Sequence, residues 1–259
     1  MRKPASAGWS DYPTHFTSPD DVRTYDRLFE SDACERICWS VQGHLLCARL
    51  RELRSGCASE NSRALDFACG TGRITRVVRD SGWDVTGMDA SAAMIDYASE
   101  LLPALDFRQG LLGNTETGEW LASIGQFDLI TAFRFFLNTP SEQRAPILKL
   151  LVELLGPNGH IVVNNHGSGP SLRNLGLRLR RKEGSTTLGQ RDFVTMLTNA
   201  GLRVERQWGG QIFSRSLYAL PRIGKVFSIL ERNTPRSRLG TILAARFGAQ
   251  QTYDCRRMP

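Results

Sequence analysis

From Ala64 to Trp208, short apolar runs alternate with longer segments whose apolar positions recur at helical spacing, and this alternation leaves few folds open. The runs Ala64–Ala68, Asp84–Asp89, Leu105–Gln109, Phe127–Phe133, His160–Asn164 and Leu202–Trp208 read as strands. Between them, Arg73–Ser81, Ser91–Leu101, Glu142–Leu155 (ended by Gly156-Pro157) and Leu188–Ala200 read as helices, and Thr241–Phe247 as a last strand. Strands that alternate with helices form βαβ units, so the expectation is an α/β fold: a doubly wound, mostly parallel sheet covered on both faces. In such sheets, ligand-binding loops collect at the carboxyl ends of the strands.

The segments before this alternation have another texture. Residues 1–18, with Pro4, Gly8 and Pro13 and few aliphatics, read as a flexible arm. Residues 19–56 read as a helical cap. Asp20 and Asp21 charge the first turn of one helix, whose Val22, Tyr25, Leu28 and Phe29 share a face, and a second helix runs from Ala33 to Arg54. Residues 57–259 form the α/β domain, with a basic, partly helical insertion at 209–240.

The net charge of +7 is placed unevenly: residues 1–166 carry −5 and residues 167–259 carry +12. A local basic field of this kind implies an acidic partner, whether phosphate, carboxylate, nucleic acid or membrane surface. Arg173, Arg178, Arg180, Arg181 and Lys182 sit among leucines. Arg215, Arg222, Lys225 and Arg232 interleave with the apolar positions of the insertion. Such stretches lie on an anionic membrane, close over a substrate, or simply cap the core with a solvated basic face. The six cysteines lack the paired spacing of a structural zinc site and read as small buried hydrophobes, so no metal is expected. With no long apolar run and no secretory leader, the chain reads as cytoplasmic.

The most informative stretch is Asp66-Phe67-Ala68-Cys69-Gly70-Thr71-Gly72. An acid at a strand end, then small residues, then a helix, is a site shaped for a nucleoside ligand. Gly70 and Gly72 let the backbone turn sharply and approach the ligand, and the free N–H groups of the helix starting near Arg73 favour an anionic group. Asp66 can accept from a ligand ammonium group, and Asp89, at the end of the next strand, can accept from both ribose hydroxyls. A dinucleotide fingerprint would need glycine or alanine where Arg73 stands.

These residues resemble the class I S-adenosylmethionine-dependent methyltransferase family, especially its small-molecule branch. Ala64 to Gly72 is similar to the family's first motif and Val85-Thr86-Gly87-Met88-Asp89-Ala90-Ser91 to its second. Phe127–Phe133 resembles the fourth-strand motif, and Leu155–Val163 the turn and strand after it. The resemblance implies a Rossmann-like sheet of seven strands with the last antiparallel, and S-adenosyl-L-methionine as cofactor. It implies cofactor contacts from Asp66, Ala68, Gly70, Gly72, Asp89 and Ala90, with Gly110 and Leu111 beside the adenine and Phe133 lining the site. Ala68 replaces the motif's first glycine, and Leu111 stands where the family often has an acid, so apolar and backbone contacts are expected around the adenine. Tyr25 is either an aromatic that the N-terminal helix closes over the cofactor or an ordinary core residue.

Methyl transfer needs alignment of the nucleophile, and a general base only where the nucleophile must lose a proton. Candidates at the carboxyl ends of the fourth and fifth strands are Arg134, Asn138 and His166. His166 is suited to act as a base near neutral pH, or else stabilises a turn with Asn164 and Asn165. Arg134 orients an acidic substrate or pairs with a nearby carboxylate. The expected acceptor is a small molecule, acidic or phosphorylated (a sugar, a lipid-linked glycan or a secondary metabolite), methylated at oxygen or nitrogen. The alternatives are an RNA methyltransferase using the basic last third, and a protein that binds the cofactor without catalysis. Against RNA, the stretch after Asp128 lacks the Asn/Asp-Pro-Pro-aromatic motif of many enzymes that methylate base amino groups.

Overall fold

The structure, a computed structural model, describes residues 16–57, 62–166, 188–210 and 250–258, with Val226, Ile229, Leu230, Asn233 and Ala244 as single positions. Two helices lead: α1 (Pro19–Ser31) and α2 (Ala33–Ser55). The alternating part follows as β1 (Arg63–Phe67), α3 (Arg73–Asp80), β2 (Asp84–Asp89), α4 (Ala92–Leu101), β3 (Asp106–Gln109), α5 (Thr115–Ile124) and β4 (Phe127–Ala132). It continues through α6 (Ser141–Glu153), β5 (Leu155–His166), α7 (Gln190–Asn199), β6 (Leu202–Gly210) and β7 (Gln250–Arg257).

The seven strands form one sheet in the order β3-β2-β1-β4-β5-β7-β6. β7 runs antiparallel to both β5 and β6, and the pairs from β3 through β5 are parallel. The order reverses between β1 and β4, where the two chain directions leave the sheet on opposite sides. A crevice opens at the carboxyl ends of those two strands.

Period-two alternation sorts the core onto two faces. Leu65, Phe67, Ile130, Ala132, Ile161 and Val163 meet Leu148 and Leu151 of α6 and Phe193 and Leu197 of α7. Ala64, Leu129 and Val162 face the other way, against Ile74 and Val78 of α3 and Leu46 and Leu50 of α2. Each fully buried aliphatic contributes roughly 1.5–3 kcal/mol. A one-residue slip would turn every strand residue to the opposite face, so the register is strongly set. Asp66 lies on the α2–α3 face, opposite Thr131 in the β1–β4 register.

The helix caps follow side-chain chemistry. Ser18 accepts from the Asp21 N–H at the start of α1, and Ser91 accepts from the Met94 N–H at the start of α4. α2 is tied to the domain by the Trp83 Nε1–H, which donates to the Leu50 carbonyl at 3.1 Å, and by Arg54, which donates to the Gly82 carbonyl.

Two expectations needed revision, and one helix was not anticipated. The last strand lies at Gln250–Arg257 rather than 241–247, where Ala244 is helical. Its polar sequence, QQTYDCRR, hides the alternation because Gln251, Thr252 and Asp254 are buried beside Tyr253 and Cys255 through side-chain hydrogen bonds. The pair Gly156-Pro157 does not end the preceding helix. α6 stops at Glu153, and β5 pairs with β4 from Leu155 onward across an irregularity. The helix α5 carried no clear periodic signal, with Gly118 in its middle; its start is marked by Asn114, which accepts from the Glu116 N–H. The arm at 1–15, the Arg173–Lys182 cluster and nearly all of the basic insertion lie outside the described residues.

Candidate functional site

The loop after β1 is built from left-handed turns. Ala68, Gly70 and Gly72 have φ of 55°, 55° and 77°. At Gly72 a Cβ would also stand 2.9 Å from the Phe107 ring, so glycine is required twice over. Ala68 holds a conformation that costs an L-residue roughly 1–2 kcal/mol. It is kept there by the flanking Cys69 N–H, which donates to the Met88 carbonyl at 3.0 Å.

Two buried acids frame this loop. Asp66 accepts from the Thr75 hydroxyl at 2.6 Å and the Thr131 hydroxyl at 2.7 Å. Burial raises its pKa from 3.8 to about 6, against the opposing pull of the two threonine hydrogen bonds. Asp89 accepts from the Gly70 N–H through Oδ2 and the Ser91 N–H through Oδ1, each at 2.9 Å. Its pKa is also raised by burial, with the backbone donors working the other way. Asp89 therefore clamps the glycine loop to the end of β2 while lining a cavity.

Two cavities meet above the loop. One, enclosing about 760 Å³ with its open mouth included, is lined by Asp89, Ala90, Met94, Gly110, Leu111 and Leu112, with Phe16 and Phe135 at its border. The other, about 590 Å³, is lined by Phe29, Trp39, Asp66, Thr71, Arg73 and Gln250, among others. Tyr25, Ala68, Gly70, Phe133 and Arg134 line both and mark the junction.

Arg134 follows β4 in a left-handed conformation, φ 59°, which is uncommon for a non-glycine residue. Two asparagines hold it. The Arg134 N–H donates to Asn164 Oδ1, and Asn138 Nδ2 donates to the Arg134 carbonyl, both at 2.6 Å. Its guanidinium pairs with Glu35 at 3.6 Å and lies 5.2 Å from the Phe29 ring centroid. Backbone strain at a strand end facing a cavity is a mark of functional constraint.

The first helix closes the site from above. Asp26 accepts from the Thr71 hydroxyl at 2.9 Å and the Tyr97 hydroxyl at 3.1 Å, which fastens α1 to the glycine loop and to α4. The Ser91 hydroxyl donates to the Phe16 carbonyl at 2.6 Å. Phe16 and Tyr25 stack edge to face, with centroids 5.1 Å apart.

Of the residues named from sequence, Tyr25, Asp66, Ala68, Gly70, Asp89, Ala90, Gly110, Leu111, Phe133 and Arg134 all line one or both cavities. Gly72 shapes the turn without lining either, and Asn138 positions Arg134 from behind. The backbone of His166 ends β5 opposite Gln250, and its side chain lies outside the described residues. Phe16, Asp26, Phe29, Glu35 and Trp39 were not anticipated, because helical periodicity shows which residues share a face but not what that face covers. Among the described cysteines, Cys38, Cys69 and Cys255 are buried thiols outside any disulfide. Among the described residues no helix is long and apolar enough to cross a membrane.

Residues 65–161 match the family model described as a methyltransferase domain. YqeM of Bacillus subtilis (strain 168), a protein described as a methyltransferase, is 30% identical over 115 residues, covering 42% of this chain and 44% of its own length. The ubiquinone biosynthesis O-methyltransferase of Marinobacter nauticus is 26% identical over 126 residues, covering 47% of this chain and 51% of its own length. The matches thus span about half the length of these curated relatives. The magnesium protoporphyrin IX methyltransferase of Synechocystis PCC 6803, solved with bound SAH, superposes with a TM-score of 0.62 at 14% identity, covering 96% of this chain and all of that one. The fold is that of a class I methyltransferase. Residues 65–161 thus resemble a methyltransferase domain, and the cofactor of such domains is S-adenosylmethionine.

The residues present fit that cofactor. The left-handed loop lets the backbone come close, and Asp89 offers a carboxylate to a diol. Met94, Leu111 and Leu112 offer apolar walls to a purine, and Phe133 and Tyr25 offer aromatic faces to a cation.

Proposed function

We propose that the chain transfers a methyl group from S-adenosylmethionine to an oxygen or nitrogen atom of an acidic or phosphorylated small molecule. The junction of the two cavities at Tyr25, Ala68, Gly70, Phe133 and Arg134 carries this reading, because it joins a chamber for the nucleoside at Asp89 to one at Asp66 that takes the ligand's ammonium end and the acceptor. When bound, the cofactor supplies an electrophilic methyl on a sulfonium. Asp89 accepts the ribose hydroxyls, Gly110 and Leu111 border the adenine, and Asp66 carries the charge opposite the ligand ammonium group. Aromatic side chains from α1 and β4 keep water from the junction. Arg134, fixed by two asparagines and flanked by Tyr25 and Phe29, draws an acidic group of the acceptor toward that wall.

An oxygen acceptor must lose a proton, and His166 is the base in this reading. Its backbone partner, Gln250, lines the second cavity, so the end of β5 borders the acceptor chamber. The small volume beneath α1 favours a small acceptor over a polymer. The names of the two relatives, an O-methyltransferase of ubiquinone biosynthesis and a porphyrin methyltransferase, point the same way.

The test is radiolabelled methyl transfer from S-adenosylmethionine into fractionated extract, with cofactor affinity measured in parallel. Label in small acidic molecules, reduced by His166→Ala without a change in cofactor affinity, is the expected result. Label in RNA with a steep salt dependence would replace this reading with a nucleic-acid substrate. Affinity for the cofactor with no label in any fraction would leave a binding protein.

A further inference from the structure

Among the described residues, four charged side chains line the chamber at Asp66: the carboxylates of Asp66 and Glu35 and the guanidiniums of Arg73 and Arg134. Arg73 is buried against Phe29 and Trp39, its Cζ 3.0 Å and 4.9 Å from their ring centroids, with no hydrogen-bond partner at Nε or Nη1. Arg134 is the more open cation, its side chain 36% exposed. Glu35, in the first turn of α2, faces it with Oε2 3.6 Å from Nη1. At that distance the charges attract, but these two atoms form no hydrogen bond. A partly exposed ion pair of this kind is weak, whereas two parallel N–H···O bonds from a guanidinium to one carboxylate are strong and matched in plane. The Arg134 backbone is pinned by Asn164 and Asn138, and the Glu35 N–H donates to Asp32 Oδ1 at 3.0 Å, so the pair can part by side-chain rotation alone. The positive end of the α2 dipole favours a carboxylate on the first turn, which stabilises Glu35 once it has turned off Arg134.

We propose that Glu35 determines acceptor specificity as a displaceable counter-ion, holding Arg134 until an acid group of the acceptor takes its place. The inference rests on the reading above, in which Arg134 draws an acidic acceptor to the wall of the junction. In that reading Asp66 is matched by the ligand ammonium, which leaves Glu35 as the carboxylate that the acceptor meets. An entering anion must bind the guanidinium better than Glu35 does, and the two like charges repel until Glu35 turns away. A neutral molecule of the same shape does not displace Glu35, so acid and amide are told apart at this pair, at some cost in affinity for the acid. The rings of Phe29 and Tyr25, whose centroids lie 5.2 Å and 5.9 Å from the Arg134 Cζ, suit a flat aromatic acid.

The test is fluorine NMR titration of the full chain, saturated with S-adenosylhomocysteine, with 4-fluorobenzoate and with the neutral 4-fluorobenzamide. Glu35→Gln keeps the shape and removes the charge, so it should tighten 4-fluorobenzoate about fivefold or more and change 4-fluorobenzamide by less than about twofold. Arg134→Gln should weaken the acid to the level of the amide, and adding Glu35→Gln to it should restore nothing, because the two residues act as one pair. Should Glu35→Gln fail to fold, Glu35→Ala is expected to give the same gain. Unchanged or weaker 4-fluorobenzoate binding in the Glu35 variants, with the loss in Arg134→Gln intact, would overturn the counter-ion and leave the acidic-acceptor reading standing. A gain that persists in the double variant overturns it too, since Glu35 would then repel the acid without competing for Arg134. A fall in S-adenosylhomocysteine affinity in Glu35→Gln gives Glu35 to the cofactor instead. If 4-fluorobenzoate binds no form of the protein, or binds Arg134→Gln as well as the unmodified chain, the acidic-acceptor reading falls and the counter-ion with it.

Discussion

The two cavities over the glycine loop are made of different material. The chamber at Asp89 is formed by strand ends and backbone: Gly70, Ala90, Gly110 and Leu111 follow directly from β1, β2 and β3. The chamber at Arg73 is formed by side chains that α1 and α2 bring in from outside the sheet, Phe29, Glu35, Cys38 and Trp39. The first is as rigid as the sheet, because its frame is hydrogen-bonded ladder. The second exists only while the two leading helices are docked, and its polar contacts to the loop run through Asp26. A site so divided can keep the chamber at Asp89 and change the one at Arg73 by exchanging helices.

The largest effect expected lies in the donor chamber. Asp89→Ala removes two acceptors of charge-assisted hydrogen bonds, about 1.5–3 kcal/mol each, so affinity for S-adenosylhomocysteine should fall at least about 100-fold by titration calorimetry. An unchanged affinity would place the ribose elsewhere and dissolve the contrast between the chambers.

The next effect depends on pH. With the Asp66 pKa near 6 in the folded chain, the ionised form that pairs with a ligand ammonium prevails above pH 6. Affinity should therefore be full above pH 6 and drop by up to about tenfold per unit below it. Stability of the ligand-free chain should run the other way. The folded pKa lies above 3.8, so protonation from pH 6 down to 3.8 favours the folded state, by about 3 kcal/mol in total. Asp66→Asn should flatten both profiles; affinity and melting curves that keep their slopes would remove Asp66 as the titrating group.

In the acceptor chamber the expected effects are smaller. Asp26→Ala should loosen α1 by about 1–2 kcal/mol, read as roughly tenfold faster amide exchange over α1, with a milder loss of cofactor affinity. Exchange unchanged across the helix would mean that apolar packing alone holds the chamber shut. Smallest is Ala68→Gly. Release from the left-handed conformation gains roughly 1–2 kcal/mol, and the freer unfolded chain returns about 0.5–1 of it. Stability should rise by about 0.5 kcal/mol, read as a higher urea midpoint at unchanged slope. A fall would show that the Ala68 methyl, packed against the core, outweighs its strain.

Legibility in the sequence follows the same division. Asp66, Gly70, Gly72 and Asp89 stood out because a strand, a tight turn and a helix start force their spacing within a few residues. Six strands of a mostly parallel sheet followed from period and length, the count of seven from the family resemblance, and β2 was placed to the residue. β7 was missed because its buried polar residues are satisfied by distant partners: Asp254 by Arg49 and His160, and Gln251 by Gln207. No local pattern reports such partners. Arg73 was noticed as an obstacle to a dinucleotide, and Asn138 as a candidate for catalysis; neither reading could see Phe29 over the one or the Arg134 carbonyl beside the other.

By itself, then, the sequence determined the β1–β5 scaffold, the left-handed glycine loop and the two acids at its strand ends, because each depends on residues close in the chain and on the periodicity of burial. Only the tertiary structure decided what stands over that loop. The docking of α1 through Asp26, the hold of Asn164 on the strained Arg134, and the open donors of Arg73 against Phe29 each join residues 30 to 45 positions apart. Contacts at that separation are set by how helices pack on a sheet, and no short-range propensity encodes them.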